Sequence, residues 1–326
     1  MTDQGKINRE GARPASLFER ADAAFGLDPR GHAPVLPEVP PVPQALRRPA
    51  PAPVQPQQAA RAAQPAPVPE PAVAAPRPPR AVAFSGPVVR IDREHLRDGG
   101  LIVPEDPVTG LLEEFRIVKR ELLADARTGA SPLARRILVC SPHTGEGKTY
   151  CATNLAIALA AERGLEVLLV DADVVKPSIT ERLGIDAEEG LMDALADPRI
   201  LPESLVIKTD IEGLFVLPAG KASALDAEYL ASTRTAEVLD RLTEGAPDRI
   251  LIFDTPPALA ASPAAELAKH VGQALLVVRA DETSRAALED AQQLLSACGD
   301  IKLLLNAARY SPSGRRFGSY YGAKGK

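Results

Sequence analysis

The chain of 326 residues carries 38 Lys+Arg against 43 Asp+Glu, a formal net charge of −5, with 45% hydrophobic residues. That suffices for a sizeable core, and the excess of acid excludes the global positive field that holds a nucleic-acid backbone, so no nucleic-acid partner is expected. Three scattered cysteines, Cys140, Cys151 and Cys298, make neither a disulfide framework nor a zinc site, and no apolar run approaches the ~20 residues that cross a bilayer.

In chain order, Met1 to Glu10 are polar and mixed in charge, without the apolar core of a secretory signal, so the expected location is cytoplasmic. Within residues 1–32, Leu17, Ala21, Ala24 and Phe25 recur at helical spacing after Ser16 and before Gly26, which predicts a short docking helix or a marginal one without a partner. Between Pro34 and Pro79 lie 16 of the 32 prolines. Proline removes backbone donors and favours extended geometry, so residues 33–80 read as a disordered, semi-stiff tether.

Residues 81–130 read as a helical lead-in. From Leu111 to Ala126, Leu112, Phe115, Val118 and Leu122 form one stripe opposite Glu113, Arg116, Lys119 and Arg120. Residues 131–308 then alternate apolar runs with helical patterns. Strands are predicted near Ile137–Cys140, Val167–Val170, Leu214–Leu217, Ile250–Phe253, Ala274–Val278 and Ile301–Leu305. The expected fold is a doubly wound α/β domain with a mostly parallel sheet of the P-loop NTPase type, its site at the carboxyl ends of the strands.

The most specific motif is PHTGEGKT, Pro142 to Thr149, between a strand and a helix. Gly145 and Gly147 permit a backbone whose N–H groups point inward at phosphate, and the helix N-terminus adds partial positive charge. The expected ATP-binding residues are Gly145, Glu146, Gly147, Lys148, Thr149 and Tyr150, with Lys148 on the β- and γ-phosphates, Thr149 on Mg²⁺ and the Tyr150 side chain structural. Two acidic strand ends supply hard oxygen for the metal: Asp171 and Asp173 after the second strand, and Asp254 after the fourth. Taken alone, each of these aspartates also suits a helix cap or a turn.

These motifs resemble the bacterial tyrosine kinase family, built on a P-loop core of the MinD and ParA type. Asp171 and Asp173 match its Walker A′ motif and Asp254 its Walker B aspartate. The blocks SLFER from Ser16, EEFRIVKR from Glu113, DADV from Asp171, LPAG from Leu217 and VGQALLVV from Val271 are similar to tyrosine autokinases associated with exosortase systems and exopolysaccharide export. The resemblance implies autophosphorylation of C-terminal tyrosines between subunits. Lys148, Asp171 and Asp173 are the expected catalytic residues, with Asp171 the candidate to take the phenolic proton, and Thr149, Asp173 and Asp254 the expected metal ligands. The resemblance gives Asn306 to adenine, for which a turn role is the alternative, and Glu113, Arg116 and Lys119 to subunit contact, for which a solvated helix face is the alternative.

The chain departs from the pattern at three places: His143 stands where MinD-type ATPases carry a lysine, Val175 where the kinases carry an arginine, and Lys119 where their oligomerisation motif ends in arginine. Residues 309–326 hold Tyr310, Tyr320 and Tyr321, with five basic residues and no acid, and are expected to be a flexible tail and the phosphoacceptor. Expected partners are further copies of the chain and a separate membrane polysaccharide co-polymerase that recruits it to the inner face of the membrane. An ATPase switch, or a regulator of polysaccharide assembly without kinase activity, is the alternative function.

Overall fold

A computed structural model describes residues 80–129 and 131–308. The predicted helix after Ser16, the tether up to Pro79, and Tyr310, Tyr320 and Tyr321 lie outside the described residues. In chain order the elements open with β1 (Val88–Val89), α1 (Arg93–Asp98) and α2 (Gly110–Thr128), followed by β2 (Arg136–Cys140), α3 (Lys148–Ala160), β3 (Glu166–Asp171) and α4 (Ile179–Leu183). Next come α5 (Leu191–Ala196), α6 (Pro202–Leu205), β4 (Ile207–Thr209), β5 (Leu214–Leu217), α7 (Asp226–Ala231) and α8 (Thr233–Thr243). The series closes with β6 (Arg249–Asp254), α9 (Pro263–Ala268), β7 (Gln273–Arg279), α10 (Arg285–Leu294) and β8 (Ile301–Asn306).

One sheet holds all eight strands in the order β1-β4-β5-β3-β6-β2-β7-β8. Every neighbouring pair is parallel except β4–β5, which is antiparallel. Helices cover both faces, so β2 and β6 are buried along their whole length and read as unbroken apolar runs rather than as alternation. One core lies between the sheet and α2 with α3, through Phe115, Leu122, Leu155, Leu159 and Val139. The other lies under α8 and α9, through Leu138, Val238, Leu242, Phe253 and Leu267. The six predicted strands form as expected. β1 and β4, of two and three residues, were too short to leave a periodic signal.

Helix α2 begins where the Thr109 hydroxyl accepts the Leu112 N–H. Its orientation corrects the predicted stripe, because Lys119 is buried with Phe115, Leu122, Leu123 and Ala126. Position 119 is one turn from both 115 and 123, so the lysine shares their face. Its amine donates to the Ala158 carbonyl (2.9 Å), near the C-terminal end of α3, and pairs with Glu162 (2.8 Å). A helix end leaves carbonyls unmet and favours a cation, which is why a lysine fits this apolar seam. Glu113 and Arg116 pair with each other at 2.5 Å.

Residues ahead of α2 form a strap built into the α/β body. Val88 and Val89 extend the sheet beside β4, and Ile91, Leu96, Leu101, Ile102 and Val103 are buried. The buried Asn154 of α3 accepts the Ile102 N–H (2.8 Å), and the Tyr150 hydroxyl donates to the Gly100 carbonyl (2.9 Å). His95 meets the Glu181 carbonyl at 2.9 Å, tying α1 to α4. Substituting Asn154→Ala leaves the Ile102 N–H buried without its acceptor. It should cost about 1–3 kcal/mol, read as a lowered melting temperature; a melt equal to that of the parent chain would show that this bond does not hold the strap.

Candidate active site

At the carboxyl end of β2 the chain makes the loop Ser141 to Gly147 and enters α3 at Lys148. Gly145 (φ 87°) and Gly147 (φ 97°) both lie in the left-handed region, where a side chain is strained. A Cβ on Gly147 would also stand 2.1 Å from the Asn306 side-chain nitrogen. That nitrogen donates to the Glu146 carbonyl (2.8 Å) from the end of β8. Asn306 thus braces the phosphate loop, so one of the two hydrogen-bonding groups predicted to read a base edge is already engaged. The Glu146 side chain is buried too, accepting the His143 N–H (2.7 Å) and the Thr283 hydroxyl. Its predicted contact to nucleotide is left to its backbone.

A cleft of about 700 Å³ opens over this loop, lined by Gly145, Gly147, Lys148 and Thr149, with Asp173, Val175 and Ser178 on one wall and Pro256 and Pro257 on another. Tyr150 lines it while its hydroxyl is held by the strap. The Lys148 amine lies 2.5 Å from Asp173 Oδ2, 3.8 Å from Asp254 Oδ1 and 3.4 Å from Thr149 Oγ1. The Ser178 hydroxyl is 3.3 Å from that of Thr149. Lys148, Thr149, Asp173 and Asp254 are therefore brought together as predicted from motifs more than 100 residues apart in sequence.

Asp171 is placed differently from its predicted part in proton transfer. Its oxygens accept the backbone N–H groups of Asp173 (3.2 Å), Ser178 (3.0 Å) and Ile179 (3.0 Å), so the fully buried carboxylate clips the loop after β3 instead of facing the cleft. Burial pushes its pKa up to about 6, against the pull of those amides. Asp254 is also 0% exposed, and neither of its oxygens meets a hydrogen-bond donor among the described residues. Burial pushes it up to about 7, with the Lys148 charge pulling the other way.

The donor set suits Mg²⁺. A buried carboxylate with unpartnered oxygens stands beside a hydroxyl and a second carboxylate, all hard oxygen ligands. Among the described residues no group of three or more His, Cys, Asp or Glu is arranged to hold a metal. Such a cage is not needed where substrate phosphates and water complete the shell. Sequence reasoning missed Thr283, Ser178 and the strap residues His95, Asp98 and Leu101 that line the cleft. The one available signal was position: Thr283 follows a strand end, where sites of this fold gather.

A family model described as an AAA domain matches residues 134–308. A curated relative, "Putative tyrosine-protein kinase EpsB" of Ralstonia solanacearum, is 31% identical over 222 residues, covering 68% of this chain and 28% of its own length. The tyrosine-protein kinase YwqD of Bacillus subtilis is 30% identical over 58% of this chain and 78% of its own. The chain thus spans little more than a quarter of the first of these relatives. Among solved structures, the kinase domain of the Escherichia coli tyrosine kinase ETK superposes with a TM-score of 0.55 at 21% identity, over 73% of this chain and 94% of that one, which shows the shared fold.

The raised pKa of Asp254 gives stability a pH slope. The unfolded chain releases this proton near 3.8 and the folded one near 7, so the native state binds the extra proton between them, and stability falls as pH rises through that window. In Asp254→Asn, with chelator present, the melting temperature at pH 8 should exceed that of the parent chain, corresponding to about 1–3 kcal/mol, and the gap should narrow at pH 5. A variant with the parent's pH profile would show that the carboxylate is not penalised by burial.

Proposed function

The chain belongs to the AAA domain family, with bacterial tyrosine-protein kinases among its relatives, and from that premise we propose that it is an ATP-dependent protein-tyrosine autokinase acting on Tyr310, Tyr320 or Tyr321 of a neighbouring copy. The observation that carries the reading is the convergence of Lys148, Thr149 and Asp173 in one cleft, with the buried Asp254 3.8 Å from the Lys148 amine.

Backbone N–H groups from Gly145 to Thr149 cradle the phosphates at the N-terminus of α3. Thr149 and Asp254 would hold Mg²⁺ directly and Asp173 through water, and the metal would supply positive charge against the phosphate oxygens. Lys148 exchanges its contact with Asp173 for the β- and γ-phosphates, leaving an Asp173 oxygen free. The phenol oxygen attacks the terminal phosphorus in line, the bond from that phosphorus to the bridging oxygen breaks, and ADP leaves with the electron pair. The phenolic proton passes to Asp173 and then to solvent. Asp173 takes this part because it lines the cleft, whereas Asp171 is satisfied by backbone amides. A phenol with pKa ~10 gives up its proton late, once the new bond has withdrawn charge from its oxygen.

Each phosphate adds about −1.5 to −2 charge to a basic tail, and repulsion from the bound nucleotide phosphates and Asp173 then loosens the oligomer. Subunit contact through α2 falls to Glu113 and Arg116, since the Lys119 amine is engaged within its own chain. The wider role is regulation of exopolysaccharide synthesis and export, with a separate membrane co-polymerase as partner at the cytoplasmic face. Among the described residues no helix is long and apolar enough to cross a membrane.

One observation favours a second reading, a nucleotide switch that hydrolyses ATP without modifying tyrosine: the cleft wall carries Val175, 73% exposed and uncharged. Incubation with Mg-ATP followed by mass-spectrometric mapping separates the two. Phosphate on a tail tyrosine supports the kinase, ADP release without label selects the switch, and neither product sinks both. Lys148→Met should lower turnover by ~10²-fold or more.

A further inference from the structure

We propose that Arg182 is a further phosphate-contacting residue of this cleft, the cation that holds the terminal phosphate of the nucleotide; this rests on reading the cleft as an ATP site. Arg182 sits in α4, directly after the loop clipped by Asp171. Ser178, at the start of that helix, places its hydroxyl 3.3 Å from the Thr149 hydroxyl. The Arg182 N–H donates to the Ser178 carbonyl (3.1 Å), so the arginine follows one turn later on the same face, about 5.4 Å along the axis. That offset is within reach of an arginine side chain, and Arg182 lines the same cleft as Lys148, Thr149 and Asp173.

Of the residues lining the cleft, Arg182 alone has a buried side-chain donor without an acceptor among the described residues. Arg93 pairs with Glu105 and Asp210, Arg136 with Asp240, Arg241 with Glu203 and Arg249 with Glu166. The Nε of Arg182 is buried and meets no acceptor among the described residues. Asp98 and Glu181 line the cleft beside it, yet neither forms an ion pair with it. A guanidinium has its donors in a fixed planar fork that matches phosphate oxygens, and leaving a buried donor unmet is costly. Val175 brings no charge to that wall, and Arg182 joins the exposed Lys176 as a cation there.

The test uses the full chain and its Arg182→Ala and Arg182→Lys variants, titrated calorimetrically with Mg-ADP and with a non-hydrolysable Mg-ATP analogue, together with turnover of ATP. Arg182→Ala should bind the triphosphate analogue at least tenfold more weakly, keep ADP affinity within twofold and lose ~10²-fold in turnover. Arg182→Lys should recover part of the triphosphate binding and little of the turnover, since an ammonium lacks the fork. Equal losses for both nucleotides, together with a lowered melting temperature that Arg182→Lys restores, would mark a structural residue and overturn the proposal, as would unchanged affinities and rate. A parent chain that binds neither nucleotide overturns the ATP-site reading itself, an outcome distinct from a parent that binds and an alanine variant that matches it.

Discussion

The structure turns on one buried charge. Asp254 ends β6 at the centre of the sheet, 0% exposed, with no donor to either oxygen and one amine, that of Lys148, at 3.8 Å. Ionising such a group without full compensation is costly, so the fold concentrates a demand for positive charge at one point. Lys148 answers that demand in part while also contacting Asp173 at 2.5 Å. A metal-bound polyphosphate brings both cation and anion to this pair, so binding it and relieving Asp254 are the same event in energetic terms.

Sheet order is what creates that point. β6 lies between β3 and β2, with Asp171 opposite Asp254 across β3–β6 and Val139 opposite Asp254 across β2–β6. Three parallel strands therefore deliver the phosphate loop, the loop after Asp171 and the buried aspartate to one edge. From the other side, β8 and the turn after β7 brace the phosphate loop through Asn306 and Thr283, both acting on Glu146. The loop's left-handed glycines are held by these contacts, and its N–H groups are preorganised before any anion arrives.

The strap adds a layer of its own. Residues 80–108 precede the 134–308 stretch that matches the AAA domain, yet His95, Asp98 and Leu101 line the cleft. Asn154 and Tyr150 tie this segment to α3, and His95 ties it to α4, the helix that carries Arg182. Movement of the strap would be felt at both walls of the nucleotide cleft. Lys119 extends the same logic to α2, locking it onto the end of α3.

The sequence by itself determined the parallel α/β class, the six long strands and the residues Lys148, Thr149, Asp173 and Asp254. Continuous apolar runs and a glycine-lysine-threonine turn are local patterns, and strand ends are where this topology collects its chemistry. Tertiary structure alone decided that Lys119 is buried, that Asp171 clips a loop, that Asn306 and Glu146 brace the phosphate loop, and that β1 and β4 widen the sheet. The side-chain outcomes depend on which hydrogen-bonding group the fold brings to face each residue, from amides a few residues on for Asp171 to the end of β8 for the Glu146 carbonyl. A polar residue's role follows from its partner's position, and no periodicity along the chain encodes a partner more than 100 residues away.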